Sequence, residues 1–391
     1  MQELKFRTMG VAMFCLLAVS TGSAQKLKSV AAFNFADGSN PQYGSLLEMG
    51  GSFYGTTQMG GNIGLGTVYG VTPQGELTTI YSFGQQPNLR DGAIPDGGLV
   101  ARQGILYGTT AGGGVFGSGT VFQLTLDGTL TTIHSFDFAD GSYPVGGLVY
   151  FQGALYGATQ NGGATNQGTI YQITLPDMTF NILYSFCPDS GCLGGHLVWS
   201  SLTATKHELW GVASLGGVKG FGTVFRISPS GAFQAVHSFD AVKGASPFGS
   251  LLYASDGKLY GTTATGGAHN NGTIFELTTD GHFNTLYSFC AEVLCPDGAI
   301  PQGSLYEAKD GSFYGTTYGG GPSGFGTIFE VTPSGQLTTL HAFKGFLGAY
   351  PLAGVVQGSN GAFYGTTSAG GGNTACPQAP VGCGAVFALF K

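Results

Sequence analysis

Phe53-Tyr54-Gly55-Thr56-Thr57, followed by Gly66-Thr67-Val68-Tyr69, is a pair of short blocks that recurs along the chain with small variations. Repeats of about 50 residues indicate a repeat architecture such as a propeller or a solenoid. A residue present in every copy is first a packing residue, so functional residues are to be sought where the copies differ. The aromatic residue of the first block stands at Tyr54, Tyr107, Tyr156, Trp210, Tyr260, Tyr314 and Tyr364.

Each repeat has the pattern of four short strands. In the third repeat, residues 144–151, 155–159, 168–174 and 180–186 are rich in strand-forming residues, and Gly, Pro, Asn and Asp lie between them. No stretch has the hydrophobic period of a helix. Four antiparallel strands in a repeat of this length predict the blade of a β-propeller.

The two ends of the mature chain are complementary. The fourth-strand pattern has an extra copy at residues 27–33, whereas the last repeat stops after its third strand at residues 385–390. We therefore expect an all-β, seven-bladed propeller of four-stranded antiparallel blades, in which the N-terminal strand completes the last blade and leaves no open sheet edge. A linear β-solenoid is the alternative, but it would not leave complementary fragments. The expected single domain, residues 25–391, has blades at 41–83, 95–136, 144–186, 196–239, 247–289, 301–343 and 351–391 plus 27–33.

The first 24 residues have the pattern of a signal peptide. Lys5 and Arg7 precede a short apolar run, and Gly22-Ser23-Ala24 provides the small residues that signal peptidase requires. We expect cleavage near Ala24 and a secreted, periplasmic or cell-surface location. An uncleaved anchor is the alternative, but the apolar run is short for a bilayer, and we expect no membrane span.

Six cysteines remain after cleavage, and they form three close pairs. An even number of cysteines in an exported chain favours disulfides, and local pairing is the simplest arrangement. A metal site is the alternative, but no histidine stands near each pair in a zinc-like array. The expected disulfides join Cys187 to Cys192, Cys290 to Cys295 and Cys376 to Cys383.

The composition excludes several classes of function. Only 9% of residues are charged, the net charge is −7 and no basic run exists, so we expect no nucleic-acid partner. Neither a Gly-x-Ser-x-Gly motif nor a phosphate-binding loop occurs. His134, His237 and His341 occupy one repeat position on different blades and cannot meet at one metal ion. We therefore expect no cofactor and no metal, assign no catalytic residue, and expect a monomer.

Two kinds of residue are candidates for ligand binding. Asp-Gly-Ala/Ser-x-Pro recurs before the first strand, and its aspartates either stabilise a turn or form a ring of carboxylates that binds calcium or a cationic ligand. The loops between second and third strands should lie on the same side as the connections between blades, and their tips differ between repeats. The candidate binding residues are Asp91, Asp297, Phe116, Phe221, Asn270 and Phe325.

Tyr-Gly-Thr-Thr, a Gly-Gly loop, Gly-Thr-Val-Phe and Leu-Thr-Thr-Leu-x-x-Phe together resemble the GloVer-type tandem repeat of exported bacterial proteins. The resemblance covers nearly all of residues 27–391 and implies a secreted or surface protein without defined catalytic residues. A sorting tail often follows such repeats, but none is expected here because Lys391 falls within the last blade.

Three functions remain open after the sequence is read. The first is a propeller that binds a glycan or protein on its loops without catalysis. The second is a polysaccharide hydrolase or lyase with its site at the channel mouth, and the third is a purely structural surface protein. A pair of acids near a His or Arg at the mouth would favour the enzyme, and an aromatic-lined cleft without such a pair would favour binding.

Overall fold

The computed structural model describes residues 25–372, 376 and 382–391. In that part of the chain the regular structure is β, apart from one 3-10 turn at Pro87–Leu89. The expected signal peptide, residues 1–24, lies outside the described residues. Within the described ranges, no helix has the length and apolar character needed to cross a membrane.

The strands form seven antiparallel sheets of four, as the sequence predicted. Blades 1 to 6 take their strands in chain order, β2–β5, β6–β9, β10–β13, β14–β17, β18–β21 and β22–β25, and blade 7 has the order β26-β27-β28-β1. The strands are β1 (Lys26–Ala32), β2 (Leu47–Met49), β3 (Ser52–Thr57), β4 (Thr67–Val71), β5 (Leu77–Ser82), β6 (Val100–Arg102), β7 (Ile105–Thr110), β8 (Thr120–Leu124), β9 (Leu130–Ser135), β10 (Val149–Phe151), β11 (Ala154–Ala158), β12 (Thr169–Thr174), β13 (Phe180–Ser185), β14 (Thr203–Ala204), β15 (Leu209–Ala213), β16 (Thr223–Ile227), β17 (Phe233–Ser238), β18 (Leu252–Tyr253), β19 (Leu259–Thr263), β20 (Thr273–Leu277), β21 (Phe283–Ser288), β22 (Tyr306–Glu307), β23 (Phe313–Thr317), β24 (Thr327–Val331), β25 (Leu337–Ala342), β26 (Val356–Gln357), β27 (Phe363–Thr367) and β28 (Ala385–Phe390).

The N-terminal strand closes the ring. β1 pairs antiparallel with β28, from Lys26 opposite Phe390 to Ala32 opposite Ala385. Phe33, directly after β1, is fully buried. The prediction of strand exchange between the chain ends is therefore confirmed.

The core lies between the blades rather than inside them. Each cluster of buried apolar side chains joins two adjacent blades. Tyr364 of blade 7 stacks on Phe53 of blade 1, and Tyr314 of blade 6 stacks on Phe363 of blade 7, each pair with ring centroids 4.0 Å apart. The repeated aromatic residue thus joins its blade to the next one.

The glycine after that aromatic residue has a role within its own blade. A Cβ on Gly108 would lie 2.6 Å from Cζ of Phe122, and one on Gly315 would lie 2.5 Å from Cζ of Phe329. The glycine therefore makes room for the aromatic ring of the third strand.

The two threonines of the block have separate tasks. The Thr56 hydroxyl donates to the carbonyl oxygen of Gly97 in the next blade at 2.9 Å. The Thr57 hydroxyl lies 2.8 Å from that of Thr67 and thereby joins the second and third strands of its own blade. Both contacts are buried and recur in other blades, which accounts for threonine at these positions beyond its preference for strands.

The first strand of each blade is shorter than the sequence predicted. Residues 144–151 were expected to form one strand, but β10 begins at Val149. Before it, a Cβ on Gly146 would lie 2.5 Å from the carbonyl oxygen of Ser200 in the next blade, so the backbones of neighbouring blades touch here. We call these irregular stretches lead segments. They comprise residues 41–46, 95–99, 144–148, 197–202, 247–251, 301–305 and 351–355.

Candidate functional site

One side of the propeller carries both kinds of irregular loop. In each blade a residue of the incoming connection forms an antiparallel bridge with the loop after the second strand, as Ser142 does with Asn161 and Ala245 with Thr265. We call this side the loop face. It comprises the loops 58–66, 111–119, 160–168, 214–222, 264–272, 318–326 and 368–372 and the connections 34–40, 84–94, 137–143, 187–196, 240–246, 290–300 and 344–350.

The three predicted disulfides are present. Cys187 is bonded to Cys192 and Cys290 to Cys295, and each bond crosses a long connection on the loop face. Cys376 is bonded to Cys383 in the long loop before β28. The connections 187–196 and 290–300, which contain the first two bonds, have no strand of their own.

Exposed apolar side chains are concentrated on the loop face. Phe116 is 63% exposed and Phe221 is 40% exposed, at the loop tips where the sequence placed them. Fourteen of the seventeen large apolar side chains exposed in the described residues lie on this face, and we call these fourteen the apolar rim. They are Ile63, Val115, Phe116, Phe138, Tyr143, Leu193, Leu215, Val218, Phe221, Val242, Val293, Leu294, Phe346 and Leu347.

The other two candidate tips make contacts inside the protein. The side-chain oxygen of Asn270 accepts a hydrogen bond from the backbone N–H of Gly266 at 3.2 Å, which stabilises its own loop. Phe325 is half-buried and packs edge-on against Tyr350. Their role in ligand binding stays a prediction.

The two candidate aspartates are held by their own connections. Asp91 is fully buried, and its Oδ2 accepts hydrogen bonds from the Tyr81 hydroxyl at 2.9 Å and from the backbone N–H groups of Gly84 and Gln85. Asp297 accepts from the Tyr287 hydroxyl at 2.8 Å in the same way. These contacts favour the turn role, and ligand binding by either aspartate stays a prediction.

The repeated histidines lie on fourth strands. Nε2 of His134, on β9, lies 2.7 Å from Oδ2 of Asp140. His237, on β17, is in a different environment, where burial lowers its pKa to about 4. In the described part of the chain, no three His, Cys, Asp or Glu side chains are grouped so that they could hold a metal ion.

The lead segments surround a cavity on the propeller axis. Blades 1 to 6 line this cavity of about 260 Å³, largely with Gly and Ser. One residue of each lead segment differs from blade to blade and stands before a Gly, Ser or Ala. We call these seven the mouth residues. They are Tyr43, Asp96, Val145, Trp199, Phe248, Gln302 and Leu352.

Three aromatic mouth residues meet over the cavity. The ring centroids of Tyr43 and Trp199 are 5.6 Å apart, and those of Trp199 and Phe248 are also 5.6 Å apart. Tyr43 belongs to blade 1 and Trp199 to blade 4, on opposite sides of the ring, so their contact crosses the channel. All three side chains are half-buried and line the cavity.

Asp96 is a buried carboxyl beside these rings. It is 5% exposed, and its Oδ2 accepts a hydrogen bond from Nε2 of Gln58 at 3.4 Å. The Gln58 side-chain oxygen accepts from Asn40 at 2.8 Å and from Gln42 at 3.0 Å, which fixes the amide with its nitrogen toward Asp96. Burial raises the pKa of Asp96 to about 7, and the charge of Asp96 adds to burial in raising the pKa of Tyr43.

Among the described residues, several buried polar side-chain atoms have no hydrogen-bond partner. Three of them belong to lead segments, namely Oδ1 of Asp96, Nε1 of Trp199 and Oγ of Ser200, and a fourth is Nε2 of Gln160. Gln160 has the position in blade 3 that Gln58 has in blade 1, since the backbone N–H of each donates to a carbonyl oxygen of its own incoming connection, Tyr143 and Asn40 respectively. Because buried polar groups are normally paired, the three unpaired atoms of the lead segments mark the mouth as a place where a ligand can bind.

Sequence reasoning missed the mouth residues. The sequence does contain a pattern that identifies them. In Pro95-Asp96-Gly97-Gly98-Leu99 and Pro144-Val145-Gly146-Gly147-Leu148, the residue after the proline varies, whereas the residues on either side of it are the same in both repeats. These stretches have the composition of ordinary first strands, and nothing in that composition distinguishes the variable position.

The comparisons with known proteins agree with the repeat pattern and the fold. The Gloeobacter/Verrucomicrobia repeat matches residues 17–198 and 192–377. No curated protein matches the chain.

Solved structures are similar to this chain in fold alone. The extracellular domain of a protein assigned as a hybrid two component system of B. thetaiotaomicron has a TM-score of 0.58 and 10% identity, over 93% of this chain and 39% of that one. This chain therefore spans well under half of that structure. A europium-containing methanol dehydrogenase has a TM-score of 0.56 and 12% identity, over 93% of both chains. A protein assigned as a 6-phosphogluconolactonase of Bacteroides uniformis has a TM-score of 0.51 and 17% identity, over 77% of this chain and 84% of that one.

Proposed function

This chain belongs to the Gloeobacter/Verrucomicrobia repeat family, and on that premise we propose that it is an exported propeller that binds a glycan at the mouth of its channel. The observation that carries the proposal is the contact of Tyr43, Trp199 and Phe248 over the axial cavity. Half-buried aromatic rings offer flat apolar faces, while the Ser and Gln side chains of the wall offer hydrogen bonds. A sugar ring has both an apolar face and a rim of hydroxyls.

Export is part of the proposal. Residues 1–24 have the pattern of a signal peptide, and three disulfides fit an oxidising compartment. The extracellular domain of similar fold is consistent with such a location.

A polysaccharide-cleaving enzyme is less well supported. Most glycosidases need two carboxyl groups roughly 5–10 Å apart on either side of the scissile bond. Among the mouth residues Asp96 is the single acid, and the residues that line the cavity include no Asp, Glu, His or Arg. An aromatic-lined cleft without an acid pair favours binding over cleavage.

A protein ligand is the second candidate, and the apolar rim is the observation that favours it. Exposed apolar side chains gathered on one face often mark an interaction surface. A protein would contact the rim, whereas a glycan would contact the mouth, so variants of the two regions separate these candidates.

A glycan and peptide array tests the proposal. The chain from Gln25 onward is applied as wild type, as Trp199→Ala and as Phe116→Ala, the last being a matched aromatic variant on the rim. We expect glycan binding that Trp199→Ala removes and Phe116→Ala leaves unchanged. Binding to peptides alone, or glycan binding lost in Phe116→Ala but retained in Trp199→Ala, would contradict it.

A further inference from the structure

On the basis of the proposed function, we further propose that the mouth binds the terminal residue of a neutral glycan, end-on, and that Asp96, Trp199 and Ser200 bind the hydroxyls of that one sugar ring. This inference names the class of ligand and the part of it that is recognised. It rests on the size of the cavity and on the chemistry of the unpaired polar atoms around it.

The size of the cavity limits what can enter. Its volume of about 260 Å³ is below the range of roughly 300–1,000 Å³ that is usual for pockets of drug-sized ligands. The contact between Tyr43 and Trp199 crosses the channel, and both side chains line this space. One sugar ring fits such a space, whereas a chain passing through it does not. The recognised residue is therefore the last one of its chain.

The unpaired atoms match hydroxyl groups. Oδ1 of Asp96 accepts hydrogen bonds, Nε1 of Trp199 donates one, and Oγ of Ser200 can do both. A hydroxyl also donates and accepts, so adjacent hydroxyls on one ring can satisfy this mixed set. An ammonium group could only donate, and a carboxylate or phosphate could only accept.

The three groups come from two lead segments. Trp199 and Ser200, in blade 4, line the cavity directly. Asp96 precedes Gly97, which also lines the cavity, and lies close enough to Tyr43 that its charge raises the pKa of the Tyr43 hydroxyl. Nε2 of Gln58 donates a hydrogen bond to Oδ2 of Asp96, so Gln58 acts as a positioning residue for the other oxygen, Oδ1.

Pairing buried groups with ligand hydroxyls produces selectivity. A ligand that lacks the required hydroxyl leaves buried polar atoms unpaired, and sites built for a hydroxyl reject such analogues strongly. We therefore expect at least a tenfold loss of affinity when the matching hydroxyl is removed from the sugar or when Asp96 is replaced by Asn.

Competition binding tests the inference. The wild type is bound to the immobilised glycan of the array, and free glucose, galactose, mannose and N-acetylglucosamine, their deoxy analogues and their uronic acids are added as competitors. We expect the free sugar that matches the chain end to compete, and its deoxy analogue and uronic acid to fail. Asp96→Asn should lose at least tenfold in affinity, and Asp137→Asn, an exposed carboxyl on the same face, should lose none.

The outcomes separate this inference from the proposed function. If Trp199→Ala abolishes glycan binding while Asp96→Asn binds normally, or if internal residues bind and chain ends do not, the end-on inference is wrong and glycan binding stands. If no glycan binds the wild type, both are wrong. Thermal unfolding confirms that each variant is folded, and Ser200→Ala replaces Asp96→Asn if the latter is not.

Discussion

Tyr43 of blade 1 and Trp199 of blade 4 meet across the axis of the propeller, with ring centroids 5.6 Å apart. The seven-bladed ring places these two blades on opposite sides, so only long side chains at the channel mouth can touch. The contact spans the channel mouth, and both rings line the cavity. It is the feature that distinguishes this site from the repeated scaffold around it.

Asp96 should make the stability of the protein depend on pH. Burial raises its pKa to about 7 from an ordinary value near 3.8, so the folded chain binds more protons than the unfolded chain between about pH 4 and 7. The free energy of unfolding should therefore fall as the pH rises through this window, by on the order of 4 kcal/mol for this group. Asp96→Asn should remove that dependence and be the more stable form at pH 8.

Urea unfolding of both proteins at pH 4, 6 and 8 measures this effect. Asp137→Asn serves as the control, because Asp137 is exposed. Parallel stability profiles for the wild type and Asp96→Asn would contradict the prediction.

Gly315→Ala should destabilise blade 6. Its Cβ would lie 2.5 Å from Cζ of Phe329, and the resulting overpacking typically costs about 1–3 kcal/mol. Gly319→Ala is the matched control, since its Cβ would meet no atom closer than 3.7 Å and it should change stability by less than about 0.5 kcal/mol. Equal midpoints for the two variants in urea unfolding would show that the repeated glycine does not make room for the ring.

Removal of residues 25–33 should open the ring. β28 would lose its partner β1, and its buried residues Ala385–Leu389 would lie at an exposed sheet edge. We expect the shortened chain to self-associate and to unfold at a lower temperature than the chain that begins at Gln25. Light scattering coupled to size-exclusion chromatography measures the self-association, and thermal unfolding measures the change in midpoint temperature. A shortened chain that stays monomeric and unfolds at an unchanged midpoint temperature would refute ring closure.

Asp91→Ala should lower stability. It removes one buried carboxylate that pairs with Tyr81, Gly84 and Gln85, and hydrogen bonds to charged groups contribute about 1.5–3 kcal/mol each. We expect a loss of at least about 2 kcal/mol in urea unfolding and unchanged glycan binding. Glu76→Ala, an exposed acid, should have little effect. Normal stability with lost binding would instead support the ligand role.

The fold could be predicted because its determinants are repeated. The seven aromatic blocks give the number of blades, and the complementary fragments at 27–33 and 385–390 give the closure. Tyr81 and His134 occupy the same position in neighbouring fourth strands, and each contacts an aspartate of the connection that follows, Asp91 and Asp140 respectively. Because such residues recur at the same position of each repeat, contacts within and between neighbouring blades can be inferred from the sequence.

The site could not be predicted in the same way. Tyr43, Trp199 and Asp96 are far apart in sequence, and each occurs once at its repeat position. Their proximity depends on ring closure and on the touching backbones of the lead segments, which no local pattern encodes. The loop tips, which the sequence favoured, are exposed at Phe116 and Phe221 but engaged in internal contacts at Asn270 and Phe325.

Tryptophan fluorescence tests the central claim most directly. The chain has two tryptophans, Trp199 at the mouth and Trp210, which is 1% exposed between blades 4 and 5. Titration with the glycan that the array identifies should give a saturable change in emission for the wild type and none for Trp199→Phe. A glycan that binds without changing the emission, or that changes it equally in Trp199→Phe, would show that the ligand does not occupy the channel mouth.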